Sequence, residues 1–294
     1  MIPYIEIGPI EIAGRALSPF GMLLASAVIV GAELAMWRGR KLGVDLRELR
    51  YFLVVIAVFG IVGAHVFDVI FYYPRQVLTT PWELLDISNG MSSFGGFVSA
   101  VIGGALWKYY GLREWVKVGK VQLWRPVKRA RTASMLPFTD ILTAVFPITW
   151  ILGRMGCAIV HDHLGILAQA GSWAAVASGP GPVWRFWVIV LHWGNQPRYD
   201  LGLLEMFFAV LMAIGFALTW RWGGARGWYV VAACVLYAPV RFALDFLRET
   251  AGVSGDIRYA GLTPAQWACF LLCAFGIGLG IYLLRGRRGA RPAG

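Results

Sequence analysis

The sequence predicts an all-α polytopic membrane protein, a bundle of about seven transmembrane helices with a small element on the outer face. Its 294 residues are 58% hydrophobic and only 15% charged, whereas soluble domains are about 45–50% apolar and about 25% charged. The second observation is that basic residues are concentrated in alternate connections between apolar runs. Together these observations exclude an ordinary soluble enzyme.

The apolar runs define the predicted spans. A helix needs about 20 residues to cross a hydrocarbon layer roughly 30 Å thick. Polar residues and prolines interrupt the fourth and sixth runs, where Asp140, Pro147, Pro239 and Arg241 lie. The seven predicted spans cover residues 19–37, 51–73, 92–110, 136–153, 201–220, 227–246 and 264–284.

The remaining segments fit one integral membrane domain over residues 1–294. The first 18 residues carry Glu6 and Glu11 and lack a basic leader, so we expect a short extended outer element and no cleavable signal. Segment 164–200 is rich in Gly, Pro and Trp and suits the level of the lipid headgroups on the outer face. Four cysteines lack paired spacing and are expected to be small buried residues: Cys157, Cys234, Cys269 and Cys273.

The net charge of +11 becomes a topology signal once the basic residues are sorted by connection. Nineteen of the 27 Lys and Arg residues follow spans one, three, five and seven, all on one side of an alternating bundle. Cytoplasmic loops carry such an excess, so the C-terminus is predicted to be cytoplasmic and the N-terminus outside. The partner that explains the charge is therefore the lipid bilayer, and no nucleic acid is needed.

A first polar cluster lies at the outer end of span four. A charged side chain at the centre of a span costs about 2.5–3.5 kcal/mol, so each one calls for a partner or a function. Arg154, Cys157 and His161 are spaced i, i+3 and i+7 and share a helix face. The guanidinium is suited to a forked contact with a phosphate, and Asp162 to orienting it or accepting a proton. The alternative is an interfacial Arg–Asp pair that closes the helix end.

A second polar cluster lies in span six. Arg241, Asp245 and Arg248 follow at i, i+4 and i+7 and therefore form one stripe. Two arginines around one carboxylate leave a net positive charge, which an anionic headgroup would neutralise. The alternative is an interhelical ion-pair network with Glu205 or Asp140.

Small residues open span three and recur in span seven. Gly95, Ser99 and Gly103 make a ridge that allows another helix to approach closely, and packing alone would explain them. The glycines of the last span are likewise attributed to packing.

Taken in order, these motifs resemble the phosphatidylglycerol–prolipoprotein diacylglyceryl transferases of bacterial inner membranes. The Gly-Arg-x-Gly run at residues 153–156 is the most specific match. The other matching segments are residues 63–65, Gly95-Gly96, Asp140, 201–205 and 241–248. The resemblance implies transfer of a diacylglyceryl group from phosphatidylglycerol to the thiol of a lipobox cysteine in a prolipoprotein, without a cofactor.

The resemblance also implies roles for individual residues. Arg154 would contact the lipid phosphate, Arg241 would be the second essential cation, and Asp162 would stand where the family has a glutamate. Phe94 replaces a histidine that precedes the Gly-Gly pair in the family, and His161 or His163 is expected to act as the base instead. The other expected substrate-binding residues are Arg248, Gly95, Gly96, Gly156, Asp140 and Glu205.

Two alternatives remain open from the sequence. Phe94 and Cys157 replace a histidine and an asparagine of the family, which favours a non-catalytic protein that binds phospholipid or a partner. Cys157, His161 and His163 also have the side-chain types of a metal site. Neighbouring ligands on one helix rarely complete a tetrahedral shell without help from elsewhere, so no metal is the primary expectation.

Overall fold

Seven α-helices lie in the part of the chain that the computed structural model describes, and they confirm the predicted fold class. That part covers residues 8–12, 15–72, 77, 79–85, 91–118, 121–160, 163–167, 190–193, 196–221, 226–249 and 258–289. Every helix begins within five residues of a predicted span. The helices are α1 (Pro19–Lys41), α2 (Leu46–Tyr72), α3 (Ser93–Tyr109), α4 (Leu136–Val160), α5 (Leu201–Thr219), α6 (Trp228–Leu244) and α7 (Pro264–Gly289).

The lengths of these helices make the chain a multi-pass membrane protein. Among the described residues, six helices are long and apolar enough to cross a membrane, namely all except α3. Helix α3 has 17 residues, so the crossing predicted for residues 92–110 stays a prediction. Helix α4 continues to Val160 in spite of Pro147, seven residues beyond the predicted end of its span.

Short strands occupy the connections. Strands β1 (Ile10–Ile12) and β2 (Arg15–Leu17) pair antiparallel and confirm an extended element before α1. Strands β3 (Tyr110–Val118) and β4 (Val121–Lys128) form an antiparallel pair where the sequence predicted only a basic connection. The described parts of segment 164–200 are β5 (Leu164–Leu167), β6 (Val190–Trp193) and β7 (Gln196–Asp200), in the order β5-β7-β6.

The chain divides into two compact units, Met36–Phe138 and a second formed by Met1–Ala35 with Thr139–Gly294. In the first unit, α2 packs closely on α3. A Cβ atom placed on Gly63 would collide with Ser99, and one on Gly95 would collide with Phe67. A Cβ on Gly103 would lie 2.8 Å from the Cβ of Phe59. The predicted ridge of small residues is thus a helix-packing surface.

The β3–β4 pair is fixed to α2 and α3 by one arginine. The Nη2 atom of Arg129 lies 2.7 Å from Oε2 of Glu48. Its Nε–H donates to the carbonyl oxygen of Trp107 at 3.3 Å. The guanidinium also lies 5.2 Å from the centre of the Trp107 ring, a cation–π contact.

In the second unit, the buried carboxylate of Asp140 caps the start of α6. Oδ1 of Asp140 accepts hydrogen bonds from the backbone N–H groups of Tyr229 at 2.8 Å and Val230 at 3.3 Å. Oδ2 accepts from the N–H of Arg226 at 3.1 Å. The first N–H groups of a helix have no partner within it, so Asp140 acts as a cap supplied by another helix.

Helix α7 runs antiparallel to α6, because Gly276 lies against Cys234 while Gln266 reaches Phe242. Helices α4 and α6 begin at the same end, where Asp140 meets Tyr229. All four cysteines are free, and Cys234 and Cys269 are buried. The expectation of small buried cysteines without disulfides is confirmed for these two.

Candidate active site

Glu205 joins two arginines from different helices. Its Oε2 lies 2.6 Å from Nη2 of Arg154 on α4. Its Oε1 lies 2.9 Å from Nη1 of Arg241 on α6. The carboxylate is 1% exposed and also accepts a hydrogen bond from the hydroxyl of Tyr237 at 3.4 Å. The buried carboxylate of Glu205 therefore joins the C-terminal parts of α4 and α6 to the start of α5.

Two local features place Glu205 on the second turn of α5. The side chain of Asp200 accepts a hydrogen bond from the N–H of Leu203 at 2.9 Å and so caps the helix. A Cβ atom on Gly202 would lie 3.2 Å from the backbone nitrogen of Ala158. The absence of a side chain at Gly202 lets α5 approach α4 closely enough for Glu205 to reach Arg154.

Arg154 is almost completely buried, with 6% of its surface exposed. Its guanidinium lies 4.6 Å from the ring centre of Trp150. Its Nη1 is 3.9 Å from the sulfur of Cys157. Within the described ranges its Nε–H has no hydrogen-bond acceptor, which is uncommon for a buried donor. Arg154 is therefore held by Glu205, the ring of Trp150 and the sulfur of Cys157.

The end of α6 adds a second carboxylate and a third arginine. Oδ1 of Asp245 lies 3.1 Å from Nη2 of Arg241 and 3.6 Å from Nε of Arg248. Asp245 is fully buried, in a short 3-10 turn that follows α6. Arg241, Asp245 and Arg248 come together as predicted, and the ion-pair network with Glu205, which the sequence left as the alternative to a headgroup site, is present. Three arginines and two carboxylates give this group a formal charge of +1; we call Arg154, Glu205, Arg241, Asp245 and Arg248 the charged cluster.

The start of α7 also contacts the charged cluster, which the sequence reading missed. The hydroxyl of Thr263 donates to Oδ2 of Asp245. Thr263 and Gln266 form a capping box, a pattern that the Thr-Pro-x-Gln sequence at the start of the last span signals. The sequence therefore signals the start of this helix, but it does not indicate the contact between Thr263 and Asp245.

The comparison with known proteins assigns the chain to a family. The profile of the family described as Prolipoprotein diacylglyceryl transferase matches residues 6–282. The chain belongs to this family. It is therefore a membrane transferase, as the sequence predicted.

Individual relatives are similar over almost their whole length. A protein of Nitrobacter winogradskyi named phosphatidylglycerol–prolipoprotein diacylglyceryl transferase is 27% identical over 98% of this chain and 89% of its own. A protein of the same name from Aromatoleum aromaticum is 27% identical over 93% of this chain and 92% of its own. A third, from Chromohalobacter salexigens, is 25% identical over 97% and 96%.

The residues expected from the family resemblance divide into three groups. Arg154, Arg241, Arg248 and Glu205 come together in the charged cluster. His161 and Asp162 lie outside the described residues. His163 is described, half-buried, and its carbonyl oxygen accepts from the N–H of Leu201 at 3.1 Å, beside the start of α5.

The expected glycines have packing roles. Gly156 faces α1, where a Cβ atom would lie 3.0 Å from Cδ2 of Phe20. Gly95 and Gly96 belong to the other unit and pack on α2, where a Cβ on Gly96 would lie 3.3 Å from the carbonyl oxygen of Gly60. Direct contact between these glycines and a substrate stays a prediction.

Asp140, which was expected to bind substrate, caps a helix instead. It precedes Arg154 by 14 positions in α4, which corresponds to about 21 Å along a helix axis. Both of its oxygens accept backbone hydrogen bonds at the start of α6. We therefore assign Asp140 to helix capping and do not retain it as a substrate-binding residue.

The metal alternative is not tested. Within the described ranges no group of three His, Cys, Asp or Glu side chains is placed to hold a metal ion. His161, one of the three ligands of the alternative with Cys157 and His163, lies outside those ranges.

Proposed function

We propose that this protein transfers the diacylglyceryl group of phosphatidylglycerol to the thiol of a lipobox cysteine in a prolipoprotein. In this reaction a sulfur–carbon bond forms at the glyceryl carbon, and the bond from that carbon to a phosphate oxygen breaks. The phosphate oxygen keeps the electron pair, so glycerol phosphate is the leaving group. The thiol proton passes to a base, and the products are a thioether and glycerol phosphate.

The observation that carries the proposal is the charged cluster, buried at helix ends and bearing one excess positive charge. The phosphodiester of phosphatidylglycerol carries one negative charge, and the departing phosphate gains another as the bond breaks. Fixed cations in a water-poor site stabilise such charge more strongly than water does. The cluster therefore suits an anionic phospholipid better than a zwitterionic one.

We assign the roles within the cluster by their contacts. Arg154 contacts the lipid phosphate through its guanidinium group, which shares Glu205 with Arg241. Arg241 supplies the second cation, and Arg248 lies at the more exposed edge of the cluster. Glu205 keeps the first two guanidinium groups at fixed positions by binding both. Paired guanidinium groups also match the geometry of phosphate oxygens.

The base for the thiol is proposed to come from the run His161-Asp162-His163. A thiol has an ordinary pKa of about 8.5, and the thiolate is the nucleophile, so proton removal precedes or accompanies attack. His163 follows Arg154 by nine positions in the chain, and its carbonyl oxygen accepts from the N–H of Leu201 at the start of α5, the helix that carries Glu205. We assign Asp162 to orienting the imidazoles or the arginine, as its position in the family motif suggests.

We propose that the protein resides in a bacterial inner membrane, with its N-terminus outside and its C-terminus in the cytoplasm. In the second unit, Arg226 lies at the Asp140 end of α4 and α6, whereas the charged cluster lies at the opposite ends of the same helices. If the basic connections are cytoplasmic, the cluster is at the outer headgroup level. An exported lipobox peptide and the headgroup of a lipid both reach that level.

The test is mass spectrometry of a lipobox peptide after incubation with the purified full-length protein and phosphatidylglycerol. We expect a mass increase of one diacylglyceryl group on the cysteine and none when phosphatidylethanolamine is the lipid. Arg154→Lys and Arg241→Lys should each lower the rate by about 100-fold or more, because lysine loses the forked contact. Arg129→Gln, which breaks an ion pair outside the cluster, is the matched control and should stay within about twofold.

One result would count against the proposed reaction, and another against a reaction without a metal. A folded protein that binds phosphatidylglycerol but leaves the peptide unmodified would favour the non-catalytic alternative. Product formation that is abolished by a chelator and restored by a metal ion would favour the metal alternative.

A further inference from the structure

The start of α7 is a capping box that is completely buried. Oγ1 of Thr263 accepts a hydrogen bond from the N–H of Gln266 at 3.1 Å. Oε1 of Gln266 accepts one from the N–H of Thr263 at 3.0 Å. Both residues are 0% exposed, although threonine and glutamine lie mostly at protein surfaces. Burial of such groups is unfavourable unless each polar atom is hydrogen-bonded.

The polar atoms that the capping box does not use are bound to the end of α6. The hydroxyl of Thr263 donates to Oδ2 of Asp245. The amide nitrogen of Gln266 donates to the carbonyl oxygen of Phe242 at 3.2 Å. Phe242 follows Arg241 in the chain, so both contacts reach the segment that carries the charged cluster. A cap requires neither of these contacts, because its own hydrogen bonds are already made.

Asp245 divides its two oxygens between these partners. Oδ2 accepts from Thr263, and Oδ1 faces Nη2 of Arg241 at 3.1 Å and Nε of Arg248 at 3.6 Å. The terminal torsion of an aspartate is broad, so its own bonds do not decide where the carboxylate plane points. The Thr263 hydroxyl holds one oxygen and so leaves the other to face the two arginines.

We infer that Thr263 is a positioning residue for the transferase reaction, which directs Asp245 so that Arg241 and Arg248 face the lipid phosphate. Gln266 supports it by fixing the Thr263 backbone and the turn after Arg241. The inference rests on the proposed function, because the placement of the arginines matters only if they bind the phosphate. It adds Thr263, which precedes α7, and Gln266 of α7 to a site otherwise built from α4, α5 and α6.

Two substitutions of Thr263 test its hydroxyl, which serves both the cap and Asp245. Valine has nearly the same shape as threonine but neither accepts nor donates a hydrogen bond, whereas serine does both. Removal of a different cap controls for the loss of helix stability. Asp45 caps α2, where its Oδ1 accepts from the N–H groups of Arg47 at 2.8 Å and Glu48 at 3.2 Å. Asp45→Ala therefore removes a cap without touching the charged cluster.

The first experiment measures kcat and KM for phosphatidylglycerol in mixed micelles with a lipobox peptide. For Thr263→Val we expect kcat/KM to fall by about 10- to 100-fold, the scale of a small misplacement of a reacting group. Thr263→Ser should stay within about threefold and Asp45→Ala within about twofold of the unaltered protein. The inference is overturned if Thr263→Ser is as impaired as Thr263→Val, or if Thr263→Val loses no more activity than Asp45→Ala.

The second experiment needs no turnover. A ligand that binds the folded state raises the unfolding temperature. We expect phosphatidylglycerol to raise it more than phosphatidylethanolamine does in the unaltered protein and in Thr263→Ser, and less so in Thr263→Val. If no thioether forms with any variant, the proposed reaction fails, and this lipid-dependent difference alone decides the inference. Equal effects in the unaltered protein and Thr263→Val overturn it.

Discussion

Glu205→Gln is the substitution that tests the charged cluster most directly. Glutamine keeps the size and one hydrogen-bond acceptor of the glutamate but removes its charge. Glu205 contacts both Arg154, at 2.6 Å, and Arg241, at 2.9 Å. After the change, Arg241 keeps an ion pair with Asp245, whereas Arg154 retains no carboxylate within ion-pair distance among the described residues.

The magnitude follows from burial. Two unit charges about 4 Å apart attract by about 4 kcal/mol at an effective dielectric constant near 20. Glu205 makes two such pairs, and part of this attraction offsets the cost of removing the charges from water. Removing one partner leaves that cost uncompensated at Arg154, which is 6% exposed. We therefore expect Glu205→Gln to lower the free energy of unfolding by about 3–5 kcal/mol.

The measurement is an unfolding titration in detergent, followed with a dye that becomes fluorescent on reaction with thiols. Cys234 and Cys269 are free and buried, so they report exposure of the interior. The matched control is Glu249→Gln, which breaks an ion pair of 3.0 Å with Arg198 at a site where the side chains are 30% and 20% exposed. That pair is more hydrated, and its loss should cost about 1 kcal/mol or less.

A double variant isolates the interaction itself. Adding Arg154→Met to Glu205→Gln removes the unpaired cation, so the double variant should be more stable than the sum of the two single changes predicts. We expect a coupling of about 1–3 kcal/mol. Strict additivity, or a loss in Glu205→Gln no larger than in Glu249→Gln, would refute the conclusion that this carboxylate holds the three helices together.

Three further predictions concern the parts that surround the cluster. Asp140→Ala should lower the free energy of unfolding by about 1–3 kcal/mol, because three backbone N–H groups at the start of α6 lose their acceptor. Gly276→Ala should cost about 1–3 kcal/mol because its Cβ would lie 2.6 Å from that of Cys234. Gly278→Ala, with open space around the new atom, should cost nothing in the same titration. Arg129→Met should leave turnover unchanged but increase protease cleavage in the β3–β4 pair, since it removes the contacts that fix β4.

The helices and the α6 stripe were predictable because both depend on local periodicity. Apolar runs of sufficient length give the helix starts to within five residues, while the end of α4 differs by seven. The spacing of Arg241 and Asp245 predicts a shared helix face, and the 3-10 turn after α6 keeps Arg248 beside Asp245. These features follow from residues close together in the sequence, so no knowledge of the tertiary packing is needed to predict them.

The partners of buried charges were not predictable in the same way. Asp140 binds backbone groups 86 to 90 positions later in the chain, and no local pattern encodes that distance. The sequence therefore offered Asp140 and Glu205 as equal partners for the arginines, and only helix packing distinguishes them. Gly202 decides the matter for Glu205, because its missing side chain sets the approach of α5 to α4.

The β3–β4 pair was missed for a different reason. The connection after α3 is strongly basic, and its charge was interpreted as a sign of topology alone. Its apolar residues nevertheless recur at alternate positions, for example Val116 and Val118, as in a strand. The two signals are independent, since charge density indicates the side of the membrane while periodicity indicates local structure.

The ratio of two carboxylates to three arginines suits the charged cluster to its proposed role. Three unpaired arginines in a membrane-spanning unit would be costly to bury, and three fully paired ones would have no affinity left for an anion. Two carboxylates for three arginines give a site that is stable when empty yet still positive. In the proposed reaction, the single charge of the lipid phosphate brings the total to zero, and the further charge that develops on the departing phosphate meets guanidinium groups already fixed in place by Glu205 and Asp245.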